Sequence, residues 1–300
     1  MLYDVSGPGR NQAAISARLA QMTASASLEV LPRTLAKIDD LDTGLPRGGR
    51  VYIACIDGTP IEEMIGAARR LTDAGFCAMP HVTARSIPDA QSFRTWMTRY
   101  REEAGVTGAL VLAGGRRVPA GPFQSSVQLL DSGIFDRLGF DRLHVAGHPE
   151  ANRDIDPDDT ARNALAALDW KQAYSERTDA EMAIVTQFLF DARSLGSWAA
   201  TIRQRGVTLP IHVGLAGPAR LATLIRYAIA CGVGPSLQVL QKRARDLRKL
   251  ARPFEPTELA RDIARMSVER PDLGLEQVHV FPLGGIATSA DWIETARRRG

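Results

Sequence analysis

The sequence predicts a (β/α)8 TIM barrel, and three observations carry that reading. Short β-rich segments alternate with helical patterns along the chain, which implies βαβ units and a parallel sheet. Eight such segments fall within about 260 residues, the strand number and length of a closed α/β barrel. Neither GxGxxG nor GxxxxGK[ST] occurs, so the glycine-rich turn of a doubly wound nucleotide-binding sheet is missing.

The strands are expected at 27–31, 50–55, 77–82, 109–113, 142–146, 183–186, 211–215 and 278–283. Each is a short apolar run, as a strand buried on both faces requires. Between them, apolar residues recur at three- and four-residue steps over 60–74, 87–104, 158–175, 194–205 and 219–231, which predicts helices. Thr59-Pro60 and Asp156-Pro157 read as helix starts, a capping residue followed by proline. Gly75 and Gly206 stand where helix C-caps belong. Residues 1–24 form an extension with a helix over 12–23, placed to plug the lower end of the barrel. The stretch 236–266 exceeds one crossover and predicts extra helices between strands seven and eight. No linker divides the chain, so residues 1–300 read as one domain.

Composition narrows the function classes. Of the 300 residues, 45% are hydrophobic and 24% charged, which is globular composition, and the net charge of +3 is too small to imply a nucleic-acid partner. The basic run 241–249 lacks aromatics and reads as a solvated helix exterior. Cys55, Cys77 and Cys231 have no metal-ligand spacing and read as small core residues in a reducing compartment. The sequence shows neither a signal peptide nor a membrane span, so a cytoplasmic protein is expected. It leaves room for a homo-oligomer.

Catalysis in a barrel is built at the carboxyl ends of the strands. Those ends offer Glu29, Asp57, His81 with Thr83, Gly114-Gly115-Arg116-Arg117, His148-Pro149-Glu150, Thr186-Gln187, and the turn 214–218. In Ser27-Leu28-Glu29-Val30-Leu31, alternation puts Glu29 on the face opposite Leu28 and Val30. A carboxylate turned inward is costly unless paired or used, and burial would raise its pKa toward that of a general acid. His144, His212 and His279 lie inside their strands and read as packed core residues. Metal-ligand spacing of the HExxH type and the GxSxG nucleophile turn are both absent.

Read in order, these strand ends resemble those of methylenetetrahydrofolate reductases over nearly the whole chain. Ser27-Leu28-Glu29-Val30-Leu31-Pro32-Arg33 stands where the family has Ser-Phe-Glu-Phe-Phe-Pro-Pro. Pro80-His81-Val82-Thr83 matches Pro-His-Leu-Thr, and Ala146-Gly147-His148-Pro149-Glu150 matches Ala-Ala-Tyr-Pro-Glu. The run 185–191 matches Ile-Thr-Gln-Phe-Phe-Phe-Asp, and His279-Val280-Phe281-Pro282-Leu283 matches the last strand loosely. The resemblance implies that Glu29 is the acid that protonates N10 of the folate. It implies that Gln187 holds the pterin, with Phe188 and Tyr227 on the folate side. It places His81, Gly114, Arg116, Ala146 and His148 around an FAD recharged by NADH or NADPH.

The departures fall on the flavin side. Where the family has Arg-Gly-Asp after strand four, this chain has Ala113-Gly114-Gly115, with Arg116 and Arg117 following. The terminal Asn-Arg of strand eight is Gly284-Gly285. Three readings follow: a flavin-dependent folate reductase, one that takes hydride directly from NAD(P)H in either direction, or a folate-binding partner subunit without turnover.

Overall fold

The computed structural model describes residues 8–39, 47–230, 240–241 and 253–299. Cys231 and the basic stretch 242–249 lie outside the described residues. Helix α1 (Pro8–Ala24) leads into β1 (Ser27–Val30) and the short α2 (Pro32–Leu35). Strand β2 (Arg50–Ile53), α3 (Ile61–Asp73), β3 (Cys77–Thr83), α4 (Ala90–Ala104) and β4 (Gly108–Leu112) follow. Two short helices, α5 (Ser126–Asp131) and α6 (Ile134–Arg137), precede β5 (Arg142–Gly147), α7 (Arg162–Ser175), β6 (Glu181–Thr186) and α8 (Ala192–Gln204). The chain then forms β7 (Ile211–Ala216), α9 (Leu221–Ala230), α10 (Thr257–Glu269), β8 (Leu275–Phe281) and α11 (Ile286–Arg299).

The eight strands close into a parallel barrel in sequence order, with β1 joined to β8 through Ser27 opposite His279. Leu28, Val30, Val51, Ile53, Val111 and Val145 pack outward into the main core against the helices. The inward set is more polar than most barrel interiors, which branched aliphatics dominate. Tyr52, Met79, Leu110 and Val185 form a small apolar layer. Buried His144, His212, His279, Gln277 and Ser27 surround it.

Several helix starts differ from expectation. Helix α7 begins at Arg162, not 158, because Asp156 is buried and its carboxylate accepts from the N–H groups of Asn163 (2.8 Å) and Ala164 (3.0 Å). Asp156 therefore caps the helix from a distance, and Ala161 enters it at φ 56°. Helix α4 begins at Ala90, not 87, after the Ser92 N–H donates to Asp89 Oδ1 (2.7 Å). Thr59 does not cap α3, whose N-cap position is Pro60. Cys77 is exposed at the first position of β3 and is not the core residue expected, whereas Cys55 is half-buried and packs against the main core.

Helix α1 packs across α10 and α11 beneath the barrel, as a lower-end plug should. Its Arg18 reaches Ser267 Oγ (2.8 Å) and the Leu275 carbonyl. Of the extra helical stretch before strand eight, α10 is described in full.

Candidate active site

Strand alternation delivers Glu29 to the carboxyl mouth. Because Leu28 and Val30 face the helices, Ser27 and Glu29 must face the axis. The same period in β3 and β8 turns His81 and His279 toward Glu29. Glu29 Oε2 lies 3.2 Å from His81 Nε2 and 3.9 Å from His279 Nε2. The second distance is that of an ion pair and too long for a hydrogen bond. Neither Nε2 atom has a hydrogen-bond partner of good geometry.

The carboxyl of Glu29, 19% exposed, does not show the raised pKa expected from sequence. Burial by itself would raise it, but the imidazoles of His279 and His81 aimed at the carboxylate outweigh burial and hold it at about 2. Burial in turn pushes the His279 imidazole down, and Glu29 partly opposes that. The His279 ring is fully buried, wedged between Tyr52 (centroids 4.6 Å apart) and Phe281 (4.7 Å).

A second cluster forms where β5 and β6 end. The Gly214 N–H donates to Thr186 Oγ1 (2.8 Å), and a Cβ on Gly214 would sit 2.4 Å from the Thr186 carbonyl oxygen. Glycine is therefore required for β7 to approach this closely, and the approach fixes the backbone that presents Gln187. The Gln187 side chain stands beside His148. Burial lowers the His148 imidazole to about 4, the charge of Lys171 adds to this, and Gln187 opposes it. Lys171, on α7, is 5% exposed, and burial alone lowers its ammonium to about 8. Among the described residues no carboxylate pairs with it, and His148 Nδ1 is buried without a partner.

The remaining expected residues are spread around the mouth. Gly114 adopts φ +87° behind β4, backed by Thr83. Arg116 pairs with Asp57 (3.8 Å) at the rim. Ala146 is half-buried on the inward face of β5. Phe188 is buried in an aromatic cluster with Phe190 (6.0 Å) and Phe281 (5.4 Å). Tyr227 packs against that cluster with the Arg226 guanidinium over its ring. A cavity of about 330 Å3 opens between the ends of β2 and β3 and helices α3 and α4, lined by Cys55, Thr83, Trp96, Met97 and Arg116, and it shares His81 with Glu29. The structure thus joins His81 to Glu29 and sets Gln187 beside His148. Among the described residues, no hydrogen bond or ion pair joins the two groups.

Sequence reasoning passed over two residues. His279 reads as packing from its place inside the strand, yet alternation from Phe281 back to Gln277 puts it on the inward face, level with Ser27. Lys171 was not singled out, although Leu168, Lys171 and Tyr174 recur at three-residue steps and form the buried stripe of α7. Among the described residues, no group of three or more His, Cys, Asp or Glu side chains could hold a metal ion, and no helix is long and apolar enough to cross a membrane.

Fold and site together define a (β/α)8 barrel carrying an ionised carboxylate between two imidazoles at its carboxyl mouth. No family model matches the chain. Among solved structures it is similar to an uncharacterised protein from Clostridium thermocellum that binds two copies of 5-methyl-5,6,7,8-tetrahydrofolic acid. The two share 13% identity and a TM-score of 0.57, with 94% of this chain and 96% of that one covered. At that identity the likeness shows the shared fold.

Proposed function

We propose that the protein binds a reduced folate at the carboxyl mouth of the barrel and interconverts its one-carbon unit between the methylene and methyl levels, as methylenetetrahydrofolate reductases do. One observation carries this reading: Glu29, where the family resemblance places the proton donor, is the mouth carboxylate faced by two imidazole Nε2 atoms that have no hydrogen-bond partner. The likeness along nearly the whole chain to a barrel that binds methyltetrahydrofolate supports the ligand class. Gln187, held by the β6–β7 contact, offers an amide to the pterin edge. Phe188 and Tyr227 form an apolar wall on that side.

In the free protein Glu29 is ionised, so it becomes a proton donor only after taking a proton from the imidazole side. Folate binding, by excluding water, brings the 3.9 Å His279 contact within hydrogen-bond reach. Glu29 and its histidines then act as one donor unit.

The residues present do not fit a flavin held as the family holds it. The carboxylate and arginine after strand four are replaced by Ala113-Gly114-Gly115. Arg116 is paired with Asp57, and the mouth cavity lies on the β2–β3 side. The reading therefore takes hydride directly from NAD(P)H.

The test is the purified protein's colour together with oxidation of NADH or NADPH in the presence of methylenetetrahydrofolate. A colourless protein that turns over supports the reading. A yellow protein restores the flavin. The low pKa of Glu29 in the free protein favours a second reading, a folate-binding partner subunit. Folate binding without turnover in the presence of either nucleotide selects it.

A further inference from the structure

The mouth cavity carries polar groups that the proposed chemistry does not use. Its apolar walls come from Ile61 and Met64 of α3 and from Trp96 and Met97 of α4. It lies behind β3, since Val82, which lines it, faces the helices with the main core. Tyr100 lines the cavity as well and is 2% exposed, and its hydroxyl has no hydrogen-bond partner among the described residues. Burial raises the pKa of that hydroxyl, so it stays protonated and presents a donor. The Ser86 hydroxyl on the same wall is equally unpartnered among the described residues. Apolar walls with a few convergent polar groups are the composition of a small-molecule site. A buried hydroxyl left unpaired is one that a ligand or a water meets.

The rim above these walls is cationic and tied down. Arg116 and Arg117 are exposed on the loop after β4. The Arg116 guanidinium makes one contact, with Asp57 at 3.8 Å, too long for a hydrogen bond. Arg117 pairs with no carboxylate among the described residues. Arg85 secures the loop: its N–H donates to the Ala113 carbonyl (2.9 Å), and its own carbonyl accepts from the Ala120 N–H (2.8 Å). The loop lies so close to Pro88 that a Cβ on Gly121 would sit 1.9 Å from the Pro88 carbonyl oxygen. Ile56, 58% exposed, and Val118, 76% exposed, flank this rim as apolar surface that a ligand would cover.

Size and position select the occupant. The cavity's volume of about 330 Å3 is twice that of one holding a single benzene ring, roughly 150 Å3, and suits a two-ring heterocycle. Because it lies behind β3, its occupant is not the ring that passes hydride across Glu29 on the barrel axis. A purine matches the wall, because its ring nitrogens accept from hydroxyl donors such as those of Tyr100 and Ser86. A pterin would ask for a carboxylate at its amino edge, and the one carboxylate among the lining residues, Asp57, stands at the rim beside Arg116.

We propose that this cavity binds the adenine end of the nicotinamide dinucleotide, with the ring against Tyr100 and Ser86 and the diphosphate on Arg116 and Arg117. It rests on the reading above in that a dinucleotide brings the hydride. The nicotinamide end then reaches the mouth past His81, which lines the cavity and also faces Glu29. The protein holds the dinucleotide by its non-reacting end and leaves the barrel axis to the folate.

The test is alkylation of Cys55, whose half-buried thiol lines the cavity, with the exposed Cys77 at the other end of β3 as reference. Mass spectrometry reads both sites in the full chain after N-ethylmaleimide. ADP-ribose or NADH, at about ten times its calorimetric Kd, is expected to slow Cys55 about tenfold and to leave Cys77 unchanged. Binding that leaves Cys55 unprotected overturns the proposal, as does the absence of binding by both. Protection by nicotinamide mononucleotide or methyltetrahydrofolate in place of ADP-ribose puts another ring in the cavity and overturns it, as does protection by FAD without protection by NADH. Tyr100→Phe is expected to weaken ADP-ribose about tenfold. Arg116→Gln is expected to weaken ADP-ribose and to bind adenosine as wild type does. Unchanged ADP-ribose affinity in either variant overturns the assignment. The protection assay uses the wild-type chain, so it decides even if Tyr100→Phe does not fold. Turnover of methylenetetrahydrofolate with NADH but no protection of Cys55 sinks the cavity assignment alone. Protection without turnover supports the cavity and sinks the functional reading alone.

Discussion

Replacing Lys171 with methionine is expected to stabilise the protein near neutrality and to lose that benefit in alkali. Its ammonium is buried without a carboxylate, and burial takes it from 10.5 to about 8. A group lowered in this way is harder to charge in the folded state than in the unfolded one. Its penalty is full below the folded value and fades as pH rises to the unfolded value. At pH 7 that penalty is about 3 kcal/mol, from roughly 1.4 kcal/mol for each tenfold change in proton affinity. Near pH 10.5 it falls below about 0.5 kcal/mol. Methionine keeps most of the stem's volume, so the packing change is small and common to both conditions. Urea unfolding of wild type and Lys171→Met at the two pH values isolates the electrostatic part. Equal stability differences at both would refute the claim that the charge is uncompensated. A natural chain that retains such a cost points to an anionic ligand group at this spot, beside His148 with its bare Nδ1.

Other outcomes follow from the same geometry. Glu29→Gln is expected to lower folate turnover by about two to four orders of magnitude, read by nicotinamide absorbance; wild-type rates would remove Glu29 from the chemistry. His148, lowered from 6.5 to about 4, contributes stability that is present above pH 6.5 and lost as pH falls toward 4, about 3 kcal/mol in all. A His148→Gln variant should therefore show a shallower acid limb in a pH series of urea midpoints. Gly214→Ala should cost about 1–3 kcal/mol, because its Cβ meets the Thr186 and Gln187 backbone; thermal melts read the cost, and folate affinity reports the displaced Gln187.

The barrel was legible because a buried parallel strand announces itself as an apolar run, and every expected strand forms in sequence order. Alternation within one strand was equally reliable, and Ser27 and Glu29 face inward as read. Relations between strands were harder to read. Nothing within 275–281 says that His279 stands level with Ser27, since register across the closing seam depends on how the whole barrel is sheared. The pKa of Glu29 failed for the same reason: its sign depends on two histidines 52 and 250 residues away in sequence. The start of α7 was misread because Asp156 caps from six residues before the first helical residue, over a loop that local rules treat as the first helical turn.

Arg18 ties the first described helix to Ser267 and Leu275, near the far end of the described chain. During synthesis α1 therefore emerges ahead of α10 and β8 and waits for more than 240 residues before these partners exist. Until then it is an unpaired amphipathic segment on a ribosome-bound chain, exposed to chaperones. In refolding, pulsed hydrogen exchange should find the α1 amides protected last, after those of β5 and β6. The lower seal of the barrel is thus a contact between an early and a late part of the described chain, and it cannot form until β8 has been made.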